Sequence, residues 1–209
     1  HERVIQSREA YVSSTLKKVL DGKSPADFAL GFRHFGLHRT QDGWIFREWA
    51  PNATRIVMVG DFSDWQEREE FALQPGKHGE WSIDLPKNAL HHGQKYKLRV
   101  YWPGGDGWRL PSYATYVIQD DDSVDFSAVV WQPDEPYQWQ HNVPPAPRVL
   151  LIYEAHVGMS SEAEKVASFN EFTADVLPRV KQAGYNTVQL MAIAEHPYYG
   201  SFGYHVSNF

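Results

Sequence analysis

Two carboxylates stand where chemistry would be expected in this chain. Glu154 lies in the apolar run VLLIYEAHVG, and Glu195 closes a second run, YNTVQLMAIAEH. In parallel α/β architectures the C-terminal ends of strands are where sites are built. The pair therefore reads either as a glycosidase acid and nucleophile or as polar groups that hydrogen-bond the neighbouring loops. His156, His196 and His205 share this stretch. They lack the i, i+4 helical spacing and the paired carboxylate motif of a zinc site, so no metal is expected. His91-His92 precedes Gly93 and reads as a solvated turn, and Asp120 to Asp122 reads as a charged loop without EF-hand spacing. The chain is also rich in aromatics: all eight tryptophans fall between Trp44 and Trp139. Such residues either fill a β core or offer flat faces to apolar ligand surfaces, of which sugar rings are the commonest.

The elements that must position these residues are legible from periodicity. Two apolar runs joined by SFNEFTADVLPRVKQAG make a βαβ unit, with parallel strands, a right-handed connection and burial expected on both strand faces. The joining helix has a capping box in Ser168 and Glu171 and a buried stripe of Phe172, Val176, Val180 and Ala183. Gly184 stands where a left-handed cap belongs, and Pro178 should cost one hydrogen bond and kink the helix. One helix cannot cover both faces of two strands, so this unit reads as the start of something larger.

Upstream, Glu2 to Leu20 predicts a helix with Val4, Val12, Leu16 and Val19 on one side. Ser24-Pro25 opens a short second helix that Gly31 closes. From His34 the period becomes two. HFGLHRT and WIFREWA flank a hairpin turn at Gln41–Gly43, and RIVMVGDF, WSIDLP, KYKLRVYW, YATYVIQ and VDFSAVVW follow. Trp81, Ile83 and Leu85 alternate inward, as do Tyr96, Leu98 and Val100, and PGGDG is a turn. About seven short strands with turns between them predict an immunoglobulin-like antiparallel β-sandwich. Five prolines between residues 132 and 148 mark a stiff linker. The chain thus divides into a helical segment (1–31), a β-sandwich (32–131), a Pro-rich linker (132–148) and a parallel unit (149–209).

Composition bounds the function. A net charge of −6 over 209 residues argues against a nucleic-acid partner. No apolar run approaches the ~20 residues that span a bilayer, so no membrane association is expected. The chain has no cysteine, which fits a cytoplasmic location. It begins at His1 without an apolar leader and reads as an excised piece of a longer protein.

The strings FREWAP, GDFSDW, IYEAHVGMSS and DVLPRVKQAGYNTVQLMAIAEHPYYGSFGYHVSNF closely resemble 1,4-α-glucan branching enzymes of the glycogen and starch type. The resemblance runs along nearly the whole chain. It implies that the sandwich is a family 48 carbohydrate-binding module and that the βαβ unit opens a (β/α)8 barrel of glycoside hydrolase family 13. Members cut an α-1,4 linkage through a covalent glycosyl-enzyme and pass the chain to a 6-hydroxyl, without a cofactor. Their catalytic carboxylates come from later strands with no counterpart here, so no catalytic residue is expected in this chain and Glu154 and Glu195 become supporting residues. Glucan contacts are implied at Tyr204, whose ring would stack beneath a sugar, and at Trp65, Lys97 and Trp108 of the module. Lys97 alternates with Tyr96 and Leu98 and is expected to face out of the core. The resemblance implies an α-glucan polysaccharide (glycogen, amylose or amylopectin) as partner; separately, the open edges and apolar face of two barrel strands without their neighbours predict self-association through them. The alternative is a non-catalytic α-glucan-targeting or interaction module, which would have no use for the two parallel strands.

Overall fold

The computed structural model describes residues 2–120 and 123–208. His1, Phe209, and Asp121 and Asp122 of the charged run lie outside the described residues. The chain forms two compact units, residues 1–118 with 126–132, and residues 119–125 with 133–209.

The first unit opens with helix α1 (Glu2–Leu20), none of whose residues is buried. The apolar side expected at Val4, Val12, Leu16 and Val19 is exposed. Helix α2 (Pro25–Phe28) starts as read: the Ser24 hydroxyl accepts the Asp27 N–H at 3.1 Å and proline takes the first turn. It stops at Phe28, short of Gly31, which instead opens a 3-10 turn over Gly31–Arg33.

Two antiparallel sheets follow. Strands β1 (Gly36–Arg39), β2 (Gly43–Trp49), β4 (Gln74–Pro75) and β5 (Glu80–Pro86) form one, in the order β1-β2-β5-β4. Strands β3 (Arg55–Gly60), β6 (Lys95–Trp102), β8 (Val117–Gln119) and β9 (Phe126–Val129) form the other, with β7 (Gly105–Arg109) paired to β6. The period-two reading holds where it was clearest. Of the residues read as inward, Trp81, Leu85, Tyr96 and Leu98 enter the core and Ile83 and Val100 pack half-buried against it; Trp44 and Phe46 join them, and Phe46 meets Tyr96 edge to face, with ring centroids 6.4 Å apart. The expected PGGDG turn is shorter: Pro103-Gly104 turns, and Gly105 onward is strand. Glycine permits this, because a Cβ at Gly105 or Gly107 would stand 3.2 Å from the Trp102 indole that lies across them.

Glu48 shares the inward face of β2 and is buried. Its Oε2 accepts the Ser112 N–H at 2.8 Å and its Oε1 accepts the Trp49 N–H at 3.0 Å. This carboxylate therefore ties the segment after β7 to the core of the first sheet. Burial pushes the Tyr96 phenol well above its usual range, and the nearby Glu48 charge adds to the effect.

The Pro-rich residues 132–148 contain no helix or strand. In the second unit β10 (Ile152–Ala155) pairs in parallel with β11 (Thr187–Leu190), Ile152 opposite Thr187. The joining helix is interrupted. Helix α3 (Phe169–Glu171) passes through a π segment (Phe172–Val176) into α4 (Leu177–Gln182). The expected kink at Pro178 takes this form: the wider π turn, in which the Leu177 N–H reaches the Phe172 carbonyl, lies just before the residue that cannot donate. Phe172, Val176 and Val180 are buried against Ala155 and Val157, but Ala183 is exposed and drops out of the expected stripe. Gly184 adopts φ +92°, the left-handed cap read from its position. The expected burial of both strand faces is not met. Leu150, Leu151, Ile152 and Tyr153 are exposed, because one helix covers one side of two strands.

The capping box forms as read, and it titrates. Glu171 takes the Ser168 N–H at 2.9 Å, and Ser168 Oγ accepts the Glu171 N–H at 3.2 Å. The Lys165 ammonium, with help from the Ser168 N–H and hydroxyl, lowers the Glu171 carboxyl from 4.5 to about 2. A depressed carboxyl stabilises the fold above its unfolded pKa and loses that contribution as pH falls through the folded value. The helix start should therefore loosen between about pH 4.5 and pH 2. The protection of the Ser168 amide, its exchange rate set against the intrinsic rate at each pH, should fall across that window, and the Glu171→Gln variant should show no such step. Protection of the Ser168 amide that is flat from pH 5 to pH 2 would refute this.

Candidate glucan-binding site

The eight tryptophans divide between the two roles that their number left open. Trp44 and Trp81 are core, Trp102 is half-buried, and Trp49, Trp65, Trp108, Trp131 and Trp139 are exposed. The residues singled out in the sandwich gather around β6. Trp65 is 38 % exposed and closes the turn after β3. Asp64 and Trp65 both take positive φ, 53° and 57°, which for bulky residues is held only by surrounding contacts. Those contacts are present. The Trp65 N–H donates to the Gly60 carbonyl at 3.0 Å, and its indole Nε1–H donates to Asp61 Oδ1 at 2.9 Å. Asp61 Oδ2 in turn accepts the Lys95 N–H at 2.7 Å, which fastens the turn to the start of β6. Gly60 allows this approach, since a Cβ there would lie 2.3 Å from the Lys95 carbonyl oxygen.

Trp108 stands on β7 directly opposite Arg99 of β6 and is 44 % exposed. In strand geometry the rows of Lys95 and Arg99 are about 13 Å apart. Lys97 lies between them in register but does not reach solvent. It is 7 % exposed, and the expectation that it faces out of the core to donate to sugars is corrected. Lys97 pairs with Val59 and Arg99 with Val57, and both valines are fully buried. That side of the sheet is covered, so alternation predicted the face correctly and its exposure wrongly.

Charged residues that sequence reading passed over surround Trp108. The Arg99 guanidinium carbon lies 5.2 Å from the Trp108 ring centroid and 5.7 Å from that of Tyr101. Asp106 accepts from its Nη2, and Glu67 lies 3.7 Å from its Nε. Glu67 also accepts the Tyr101 hydroxyl at 2.6 Å and pairs with Arg55 at 3.2 Å. Of these only Arg99 had a signal in the sequence, the odd positions of KYKLRVYW, where Lys95, Lys97, Arg99 and Tyr101 make one polar side.

In the second unit Tyr204 is 66 % exposed, and its hydroxyl stands 3.8 Å from Met191 Sδ. The two glutamates have quieter roles. Glu154 accepts from Gln189 Nε2 at 2.9 Å across the parallel pair, and the Glu195 carbonyl takes the Ser207 N–H at 2.9 Å. His156 Nδ1 accepts the Met159 N–H at 3.3 Å, so its Nε2 carries the proton given to the Phe202 carbonyl at 2.8 Å. Among the described residues no group of three or more His, Asp or Glu side chains could hold a metal. No described helix is long and apolar enough to cross a membrane.

Residues 34–114 match the family model of carbohydrate-binding module 48, the isoamylase N-terminal domain. The fold agrees: a pullulanase from Bacillus acidopullulyticus superposes on 78 % of this chain and 22 % of its own, with TM-score 0.61 and 22 % identity. The sandwich is thus a carbohydrate-binding module of family 48. Beyond it, the chain is 43 % identical over 195 residues to a 1,4-α-glucan-branching enzyme of Yarrowia lipolytica, covering 88 % of this chain and 28 % of that protein. A 1,4-α-glucan-branching enzyme of Dictyostelium discoideum is 39 % identical over 216 residues, covering 100 % and 32 %. The chain is similar along its length to these 1,4-α-glucan-branching enzymes and spans about a third of the length of these curated relatives.

Proposed function

We propose that this chain is the N-terminal, glucan-binding part of an enzyme that cleaves α-1,4-glucan chains and transfers them to a 6-hydroxyl, making α-1,6 branches. One observation carries the reading: the similarity to branching enzymes does not stop at the module (34–114) but continues through β10, α3, α4 and β11. A module that only tethers to glucan has no need of a parallel βαβ unit. As the opening of a (β/α)8 barrel, the unit leaves its uncovered strand faces for further strands and helices to bury. Tyr204 then stands beyond the C-terminal end of the second barrel strand, where an exposed ring can lie against the C–H face of a glucosyl residue. In the module, Trp65 and Trp108 supply rigid aromatic faces along β6, with a covered Lys97 between them.

Calorimetric titration with maltoheptaose, set against cellohexaose, tests the binding half of this proposal. The chain should bind the α-linked oligosaccharide and not the β-linked one, and equal or absent binding of both would overturn it. The catalytic half predicts silence. The resemblance puts the family's catalytic acid and nucleophile on later barrel strands, so amylose incubated with the purified chain should keep its iodine absorbance. Branching above background would place the chemistry in this segment and sink the assignment.

A further inference from the structure

Arg99 is held more firmly than a surface arginine needs to be. Its guanidinium has a carboxylate on each of two sides, Asp106 on the neighbouring strand and Glu67 from the segment between β3 and β4. Glu67 is itself fixed by the Tyr101 hydroxyl at 2.6 Å and by Arg55 at 3.2 Å. The planar group held in this way lies 5.2 Å from the Trp108 ring centroid and is three-quarters removed from solvent. Arginine stacks on indole through both charge and its flat surface, and lysine lacks the second.

We propose that Arg99 is a positioning residue of the glucan site: its clamped guanidinium backs one face of Trp108 and fixes the ring with a single face open to a pyranose. This rests on the reading of Trp108 as a glucan contact. An exposed indole on a strand paired only to β6 would otherwise rotate about its side-chain bonds, and binding would have to halt that motion. With one face already occupied by a cation, the ring presents a fixed stacking plane, and a sugar can approach from the opposite side only. Glu67 and Asp106 act through Arg99, not on the ligand.

The test uses the full chain with 5-fluorotryptophan incorporated, so that each of the eight indoles gives a 19F signal. Trp108 is assigned from Trp108→Phe. In Arg99→Met, which keeps the aliphatic stem, the Trp108 signal should shift and broaden while the other seven stay put. Maltoheptaose affinity should fall roughly three- to tenfold, and Arg99→Lys should be intermediate on both readouts. If Arg99→Met binds like the parent while Trp108→Ala does not, the positioning role is overturned and the site stands. If Trp108→Ala also binds like the parent, the glucan reading of Trp108 falls and takes Arg99 with it. If all the tryptophan signals move together with a drop in melting temperature, Arg99 holds the fold and the proposal is equally overturned.

Discussion

Trp108→Ala should weaken retention on an amylose gel strongly while leaving the melting temperature nearly unchanged. Truncating a good aromatic anchor costs about 1–3 kcal/mol of binding, roughly a 5- to 150-fold loss. The stability side follows from position. Trp108 is 44 % exposed and packs on the Arg99 guanidinium, and it is not among the core residues. Surface changes of this kind usually stay within about 0.5 kcal/mol. Trp65 would give a less clean answer, because its indole N–H holds Asp61, and Asp61 holds the start of β6. Trp65→Ala should therefore lose binding and stability together. Parent-like retention by Trp108→Ala, or a large fall in its melting temperature, would remove Trp108 from the site.

The largest effect on stability should come from Glu48→Ala. The carboxylate is buried, and both its oxygens accept backbone N–H groups, from Trp49 and from Ser112. Alanine removes the cost of burying a charge, but it leaves two amides, both in part-buried hydrogen bonds, without their acceptor. Each unsatisfied donor costs about 1–3 kcal/mol, so a net loss on the order of 3 kcal/mol is expected after that relief. For a domain of this size that is a fall in melting temperature of about 10 °C or more. Glu48→Gln keeps one acceptor oxygen and should lie between. Thermal unfolding followed by circular dichroism decides the matter, and an alanine variant melting within about 2 °C of the parent would show that the two amides find other partners. Because Ser112 follows the β7 strand that carries Trp108, the same variant should also weaken glucan retention below its melting transition.

What this sequence determined by itself was local. Ser24 before Pro25, Ser168 with Glu171, and Gly184 after the last helical turn specify helix ends through bonds spanning three or four residues, and all three act as read. Alternation likewise sent Trp81, Leu85, Tyr96 and Leu98 inward, because a strand has only two faces. The tertiary structure decided whether the other face was open. Lys97 alternates outward yet is buried, because that side of the β3–β6 pair is covered, and nothing within a few residues of Lys97 encodes the covering. Ile152 and Tyr153 of β10 are exposed for the converse reason: one helix has one side, and burying both faces of a sheet takes neighbours that two strands and a helix do not contain. The Arg99 clamp joins residues 67, 99, 106 and 108, drawn from three segments that only strand pairing brings together. Residue types told which groups could stack on a sugar, and the pairing of β6 with β7 decided which of them has a guanidinium behind its ring.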